Sequence, residues 1–533
     1  MPTRTTAEAA LDALIDRFRT HPGRGGCGVG AIADLRGPSH DLIRQALEGL
    51  RCMEHRGGAL DDTGDGAGLI MATPRAFFER FIAPGRRLPA GHGLGVGVVF
   101  FPVGERSNIP FWQHEIDATL RRHGILPLGW RAVPVDDRAV GRTAHESRRE
   151  VWQCIVGEGL VFGDEFARAM FRAKAHIERT FRDVYLPSFS PRTLVYKALA
   201  TGDQLARYYR DLTDPDLTTD LVVYHRRYST NTFSNWYLAQ PFRTLGHNGE
   251  INTIKANRNA VRNLEAELHW PGLLMPQGSD SADVDRVVEM FRSHGVSLPE
   301  TMMRMMPAAA ADLIGAPPEI ARFYRGVQRA LGTLGAWEGP AALVSTDGET
   351  LVAMLDRMGL RPLRYVFTRD ARVFVGSELG AHVVPDADIA HTGQLDPGEA
   401  LSVDVRNGEI LEPAALLRRV VERTRINFTD LSEASLLSPP VRVEPAPGAP
   451  RLDPAVLETM PRGAADGAHE THRAGRGQGD RSAGAVAHAA DGAGEGGGAR
   501  RRACRYGQVL TAAGQGAAEQ DVAGIAVQTH CPR

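Results

Sequence analysis

The sequence predicts a mixed fold of the α+β class, and three observations carry that reading. Short apolar runs such as Gly30-Ala31-Ile32-Ala33 and Leu221 to Tyr224 have strand character, and they alternate with helical stretches such as Leu42 to Met53 and Asn257 to Leu268. The 533 residues suffice for two or three ordinary domains with a sizeable core, and 43% of them are hydrophobic. The composition is also uneven. From about Cys27 onward the chain reads as α and β, whereas positions 461–533 hold 18 Ala, 15 Gly and 9 Arg but only 7 residues from Val, Ile, Leu, Met, Phe, Tyr and Trp. Such a segment cannot bury enough apolar surface to offset its chain entropy, so disorder is expected there. The stretch SPPVRVEPAPGAPRLDP, Ser438 to Pro454, marks a Pro-rich linker over 436–460. The ordered part is thereby expected to run from 27 to 435. No internal repeat is evident.

Charge and cysteine usage exclude further classes. With 62 basic and 64 acidic side chains the formal charge is −2, which gives no electrostatic reason to expect nucleic acid or an anionic membrane surface as partner. The longest apolar stretch, Gly95 to Val103, is about half a membrane span and reads as a buried strand. The N-terminus MPTRTTAEAALDALIDRF lacks an apolar signal core and reads as a short amphipathic helix, so a cytoplasmic setting is expected. The cysteines, at 27, 52, 154, 504 and 531, are too sparse for a disulfide framework and lack the CxxC spacing of a zinc or iron–sulfur site.

Four segments could carry chemistry, and each has a plainer reading when taken alone. Cys27 stands in Gly25-Gly26-Cys27-Gly28-Val29-Gly30, where glycines allow close backbone approach to a substrate; a lone cysteine there is otherwise a small buried apolar residue. His225-Arg226-Arg227-Tyr228-Ser229-Thr230 follows a strand, and its adjacent arginines suit a forked grip on a carboxylate; in isolation it is a solvated strand end. His247-Asn248-Gly249-Glu250 is by itself a tight turn, or else an oxyanion hole in which the Asn248 amide and the Gly249 N–H aim at one developing charge. Gly278-Ser279-Asp280-Ser281 reads first as a helix N-cap before DVDRVVEMFRSHG, and second as a carboxylate for a substrate ammonium.

Seven motifs occur in one order: CGVGAIAD, HRGGALDDTGDGAG, HRRYSTNTF, AQPFRTLGHNGEINTIKANRN, GSDSADVD, AWEGPAAL and LDRMGLRPLRY. Over about residues 27 to 430 the chain resembles the class II glutamine amidotransferase domain of the glutamate synthase large subunit. The resemblance implies a four-layer αββα N-terminal-nucleophile hydrolase fold. It implies Cys27 as nucleophile once a propeptide, 1–26, has been removed. It further implies Arg227 on the α-carboxylate of L-glutamine, Asp280 on its α-ammonium, and Asn248 with Gly249 as the oxyanion hole. His55, Arg56 and Arg357 are expected to organise the site. The Gly-rich TGDGAG, Thr63 to Gly68, precedes the strand-like LIMAT rather than a helix and makes a poor dinucleotide loop; His469-Glu470-Thr471-His472 lacks the i, i+4 histidines of a zinc helix.

The sequence departs from the family in three respects. Met358 stands where the family has Asn, and the loop between HRGG and TGDGAG is slightly short. The family's central domain, its synthase barrel bearing FMN and an iron–sulfur cluster, and its terminal β-helix are not recognisable. This chain alone is therefore expected to release ammonia without adding it to 2-oxoglutarate, a step that needs electrons carried by cofactors. Partners implied are L-glutamine and a synthase domain or small subunit. Two other readings stand beside the glutaminase: a non-catalytic glutamine-binding or regulatory module, and an inactive truncated product. Arg far exceeds Lys, as in a G+C-rich coding sequence, and the Ala-Gly-Arg tail is what such DNA encodes after a frameshift.

Overall fold

The computed structural model describes residues 27–424, apart from 61, 228–234, 268–271, 275–277, 309–312, 331–334 and 379. The expected propeptide 1–26, linker 436–460 and tail 461–533 lie outside the described residues, as does the YSTNTF part of the arginine motif.

Strand Gly28–Asp34 is buried at all seven positions. Its sequence, GVGAIAD, offers no polar face until its last residue, and such a strand must be covered on both sides. It lies inside a seven-stranded antiparallel sheet, between Arg372–Gly376 and Leu221–Arg226. Beyond the latter come Ala67–Ala72 and Thr193–Ala198; beyond the former come Arg364–Thr368 and Ile389–Gln394. A second, five-stranded sheet runs Leu245–Gly249, Ala341–Thr346, Thr350–Leu355, Ala400–Asp404, Glu409–Leu411. The two sheets pack face to face through Val29, Ala31, Val223, Ala342, Val344 and Ala353.

Helices close the outer faces. His40–Cys52 and Gly202–Tyr208 pack on the first sheet; the former buries Leu42, Ile43, Ala46, Leu47 and Leu50, an i, i+4 stripe worth about 1.5–3 kcal/mol per large side chain. Asp280–Ser293, Leu298–Met305 and Pro413–Arg423 cover the second sheet through a core that includes Val287, Met302 and Val352. Helix, sheet, sheet, helix is the four-layer αββα order of the N-terminal-nucleophile hydrolases.

Residues 94–190 add a unit that the four-layer expectation omits. Four strands ordered Ile125–Ala132, Arg149–Glu158, Leu94–Pro102, Tyr185–Ser190 form a third sheet. Helices Ile109–Arg122 and Gly163–Thr180 share its own core, which holds Val99, Phe101, Trp112 and Met170. The strand expected at Gly95 to Val103 is its Leu94–Pro102. Its other face shares a core with the first sheet, through Val96, Val98 and Phe100 against Leu69 and Tyr196, and Pro191 with Arg192 links Tyr185–Ser190 to Thr193–Ala198. No helix among the described residues is long and apolar enough to cross a membrane.

Candidate active site

Cys27 stands at the head of strand Gly28–Asp34 and is 1% exposed. Gly28 pairs with Arg226, so the end of this ladder sets Cys27 beside Arg227. Burial pushes the thiol up to about 12; Arg227 and Arg361 pull it down, while Asp65 and Asp280 add to the rise. The thiol is therefore protonated at neutral pH and needs a base before it can attack anything.

The adjacent arginines do different things. Arg226, 1% exposed, is no solvated strand end. Its Nη2 donates to Glu54 Oε1 at 2.8 Å, and its Nη1 donates to Gly66 O at 2.9 Å and also to Asp65 Oδ1. The forked grip exists, and its carboxylates are the chain's own. A Cβ on Gly57 would fall 1.9 Å from the Arg226 guanidinium carbon, which is why a glycine follows His55-Arg56. Arg227 is 27% exposed by side chain and leaves the strand at a φ of +101°, a conformation costly for a residue with a Cβ. Backbone contacts hold it there: its N–H donates to Gly66 O at 2.7 Å, and its carbonyl lies 3.1 Å from His225 Nδ1.

His225 is the link that sequence reading missed. It is buried on strand Leu221–Arg226, and its Nε2 lies 2.8 Å from the carbonyl of His247 in the second sheet. Burial lowers its pKa to about 3, so the ring is neutral and its single N–H serves one carbonyl at a time. One ring thus sits between the Arg227 turn and the strand carrying Asn248 and Gly249, with a carbonyl of each within hydrogen-bond distance. Gly246 of that strand packs over the first sheet; a Cβ there would sit 3.2 Å from Val29 and 3.3 Å from His225.

The Asn-Gly pair is a strand end, not the tight turn its dipeptide suggests. Asn248 pairs with Ala342 and Gly249 with Ala341. Tertiary pairing overrides the local turn preference, and Gly249 is required for another reason. Its φ is +145°, and a Cβ would meet Pro340 O at 1.9 Å. Asn248 is buried, and its Oδ1 has no hydrogen-bond partner among the described residues.

Asp280 opens helix Asp280–Ser293. The cap itself is Ser279, whose side chain accepts from Ala282 N. Asp280 follows in the first turn: its Oδ2 accepts from Ile251 N at 2.9 Å, just past Gly249, and its Oδ1 from Ser281 N at 2.7 Å. Cys27, Arg227 and Asp280 are thereby brought together, with Asn248 and Gly249 on the strand that His225 ties to them. Asp65 and Arg361 join the group unforeseen, although both lie inside quoted motifs. The other expected organisers form a neighbouring pair of contacts. Arg56 Nε donates to Glu378 Oε2 at 2.6 Å and His55 Nε2 lies 3.1 Å from the same oxygen, while Ser377 bonds Val29 at both backbone and side chain. Arg357 donates to Glu338 at 2.6 Å, and Met358 points outward at 57% exposure. Among the described residues, no group of three or more His, Cys, Asp or Glu could hold a metal ion.

A sandwich whose first sheet opens on a glycine-flanked cysteine among paired charges defines a class, and comparison with known families agrees. The family model for class II glutamine amidotransferases matches residues 27–427, and the chain belongs to that family. Among its relatives, ferredoxin-dependent glutamate synthase 2 of Synechocystis is 39% identical over 423 residues, covering 75% of this chain and 27% of the relative. The NADPH glutamate synthase large chain of Azospirillum brasilense is 34% identical over 424 residues, covering 76% and 28%. The chain thus spans little more than a quarter of the relatives it matches. The solved glutamine phosphoribosylpyrophosphate amidotransferase of B. subtilis aligns over 71% of this chain and 47% of its own at 15% identity, with a TM-score of 0.31, too loose to add to the fold described above.

Proposed function

We propose that this domain hydrolyses L-glutamine to glutamate and ammonia through a γ-glutamyl thioester on Cys27. The observation that carries the reading is the buried Cys27 thiol set among Arg227, Asp280, Asp65 and Arg361 at the head of the first sheet. Arg227 takes the α-carboxylate of glutamine and Asp280 its α-ammonium, which sorts a zwitterion by the sign of each end. The Cys27 sulfur attacks the side-chain carbonyl carbon. The oxyanion that forms is held by the Asn248 amide and the Gly249 N–H, ammonia leaves with a proton, and water then opens the thioester to glutamate.

Maturation completes the site. Residues 1–26 act as a propeptide, and its removal converts the Cys27 amide nitrogen into an α-amine with a reference pKa of about 7.7–8.0. A neutral amine next to the thiol supplies the base that a thiol pushed up to about 12 requires. The released ammonia passes to 2-oxoglutarate in a synthase domain, which in the longer glutamate synthases would hold the flavin and iron–sulfur cluster. We place the reaction in the cytoplasm, with 436–460 as linker and 461–533 as a tail outside the catalytic unit. The test is glutamate release from glutamine by the processed protein and by Cys27→Ala. The expected result is loss of activity to background in the variant. Equal activity in both would overturn the assignment.

A further inference from the structure

Asp65 touches both arginines of the HRR motif. It lies in the Gly-rich turn between Thr63–Gly64 and Ala67–Ala72 and is 12% exposed by side chain. Its Oδ1 accepts from Arg226 Nη1, and its Oδ2 accepts from Gly58 N at 2.8 Å and lies 3.4 Å from Arg227 Nε. The next residue, Gly66, accepts the Arg227 N–H at 2.7 Å. The Asp65-Gly66 pair therefore holds Arg227 by backbone and by side chain, at the position where φ is +101°.

We propose that Asp65 is a positioning residue of the glutamine site, holding Arg227 in its turn beside Cys27 by a charged contact at 3.4 Å and through the backbone of Gly66. The inference rests on the assignment of Arg227 to that carboxylate. A fixed negative charge 3.4 Å from Nε and the backbone bond to the next residue keep the guanidinium in one place, which a forked grip on a carboxylate requires. Arg226 makes the arrangement rigid. It clamps Asp65 from the opposite side while Glu54 anchors Arg226 in turn.

Asp65 also acts on the nucleophile through space. Of the charges facing Cys27, Arg227 and Arg361 favour its thiolate, whereas Asp65 and Asp280 oppose it. In the mature chain the same carboxylate would stabilise the protonated α-amine. Removing the charge therefore lowers both proton affinities and moves the acid limb of the activity profile to lower pH.

Two variants separate positioning from scaffolding. Asp65→Asn keeps the shape and removes the charge beside Arg227; Glu54→Gln weakens the other anchor of Arg226 and leaves Arg227 alone. For Asp65→Asn the expected KM for glutamine rises about tenfold, the size of a lost charged contact, and the acid limb of kcat/KM shifts to lower pH. For Glu54→Gln the melting temperature falls while KM and the acid limb stay in place. Should Asp65→Asn fail to fold, Asp65→Glu retains the charge but moves it by one methylene; its KM rises and its acid limb does not move. Variants of Asp65 that melt earlier with unchanged KM and pH profile, or a Glu54→Gln that raises KM equally, would overturn the inference. An inactive wild-type enzyme would instead overturn the glutaminase reading on which it rests.

Discussion

The two-sheet sandwich and the 94–190 unit are folded by the same apolar burial, yet they differ in what they do with buried polar groups. In the 94–190 unit, buried polarity serves packing: Trp130 Nε1 donates to Asp117 at 2.9 Å, and Gln153 reaches across to Tyr196 OH. Phe101 stacks flat on Trp112 with centroids 5.4 Å apart. In the sandwich, buried polar groups gather where strands of the two sheets end, as Arg226, His225, Asn248 and the Cys27 thiol. None of the proposed site residues falls between 94 and 190. The difference teaches that one unit tolerates change as a matter of stability, the other as a matter of chemistry.

Breaking each unit should give opposite signatures. Phe101→Ala removes a fully buried ring, and the expected loss is about 3–5 kcal/mol of stability, measured by denaturant unfolding, with KM for glutamine unchanged in the folded fraction. A changed KM would blur the division. Asn248→Ala should lower kcat by about 10²–10³ and leave the melting temperature nearly untouched, because its Oδ1 makes no hydrogen bond to lose. Retained turnover would remove Asn248 from the oxyanion hole.

The smallest effect sharpens the border of the site. The hydrogen bond to Glu378 raises the His55 pKa, with burial acting against it; Glu378, although burial favours its neutral form, is held below its ordinary value by His55 and Arg56. A histidine whose folded pKa exceeds its unfolded one stabilises the fold below that unfolded value, about 6.5, and the contribution vanishes as pH rises through the folded value. Because His55 is half-exposed, His55→Gln should cost under about 1 kcal/mol at pH 6 and nothing at pH 8, read from melting temperatures at the two pH values. An equal cost at both would detach His55 from this pairing.

Much of this was legible in the chain. GVGAIAD and LVVY announced buried strands because no polar face interrupts them, and the helix after GSDS announced itself by its cap. What local pattern could not convey is long-range pairing. The Asn248-Gly249 dipeptide reads as a turn until its partners Ala342 and Ala341 are known. Arg226 reads as exposed until Asp65, 161 residues earlier in the chain, is set against it. His225 looked like a prefix to two arginines and proved to join two sheets. The third sheet left no signature beyond its apolar strands, since nothing in their sequence says which sheet they enter.

The central claim is that Cys27, freed at the N-terminus, is the nucleophile. Intact-mass and peptide mass spectrometry of the purified protein, before and after treatment with an electrophilic glutamine analogue, tests it most directly. The expected result is a chain beginning at Cys27 that gains one adduct, located on Cys27 and prevented by excess glutamine. An unprocessed chain that resists the reagent, or an adduct on Cys52 or Cys154 instead, would contradict it.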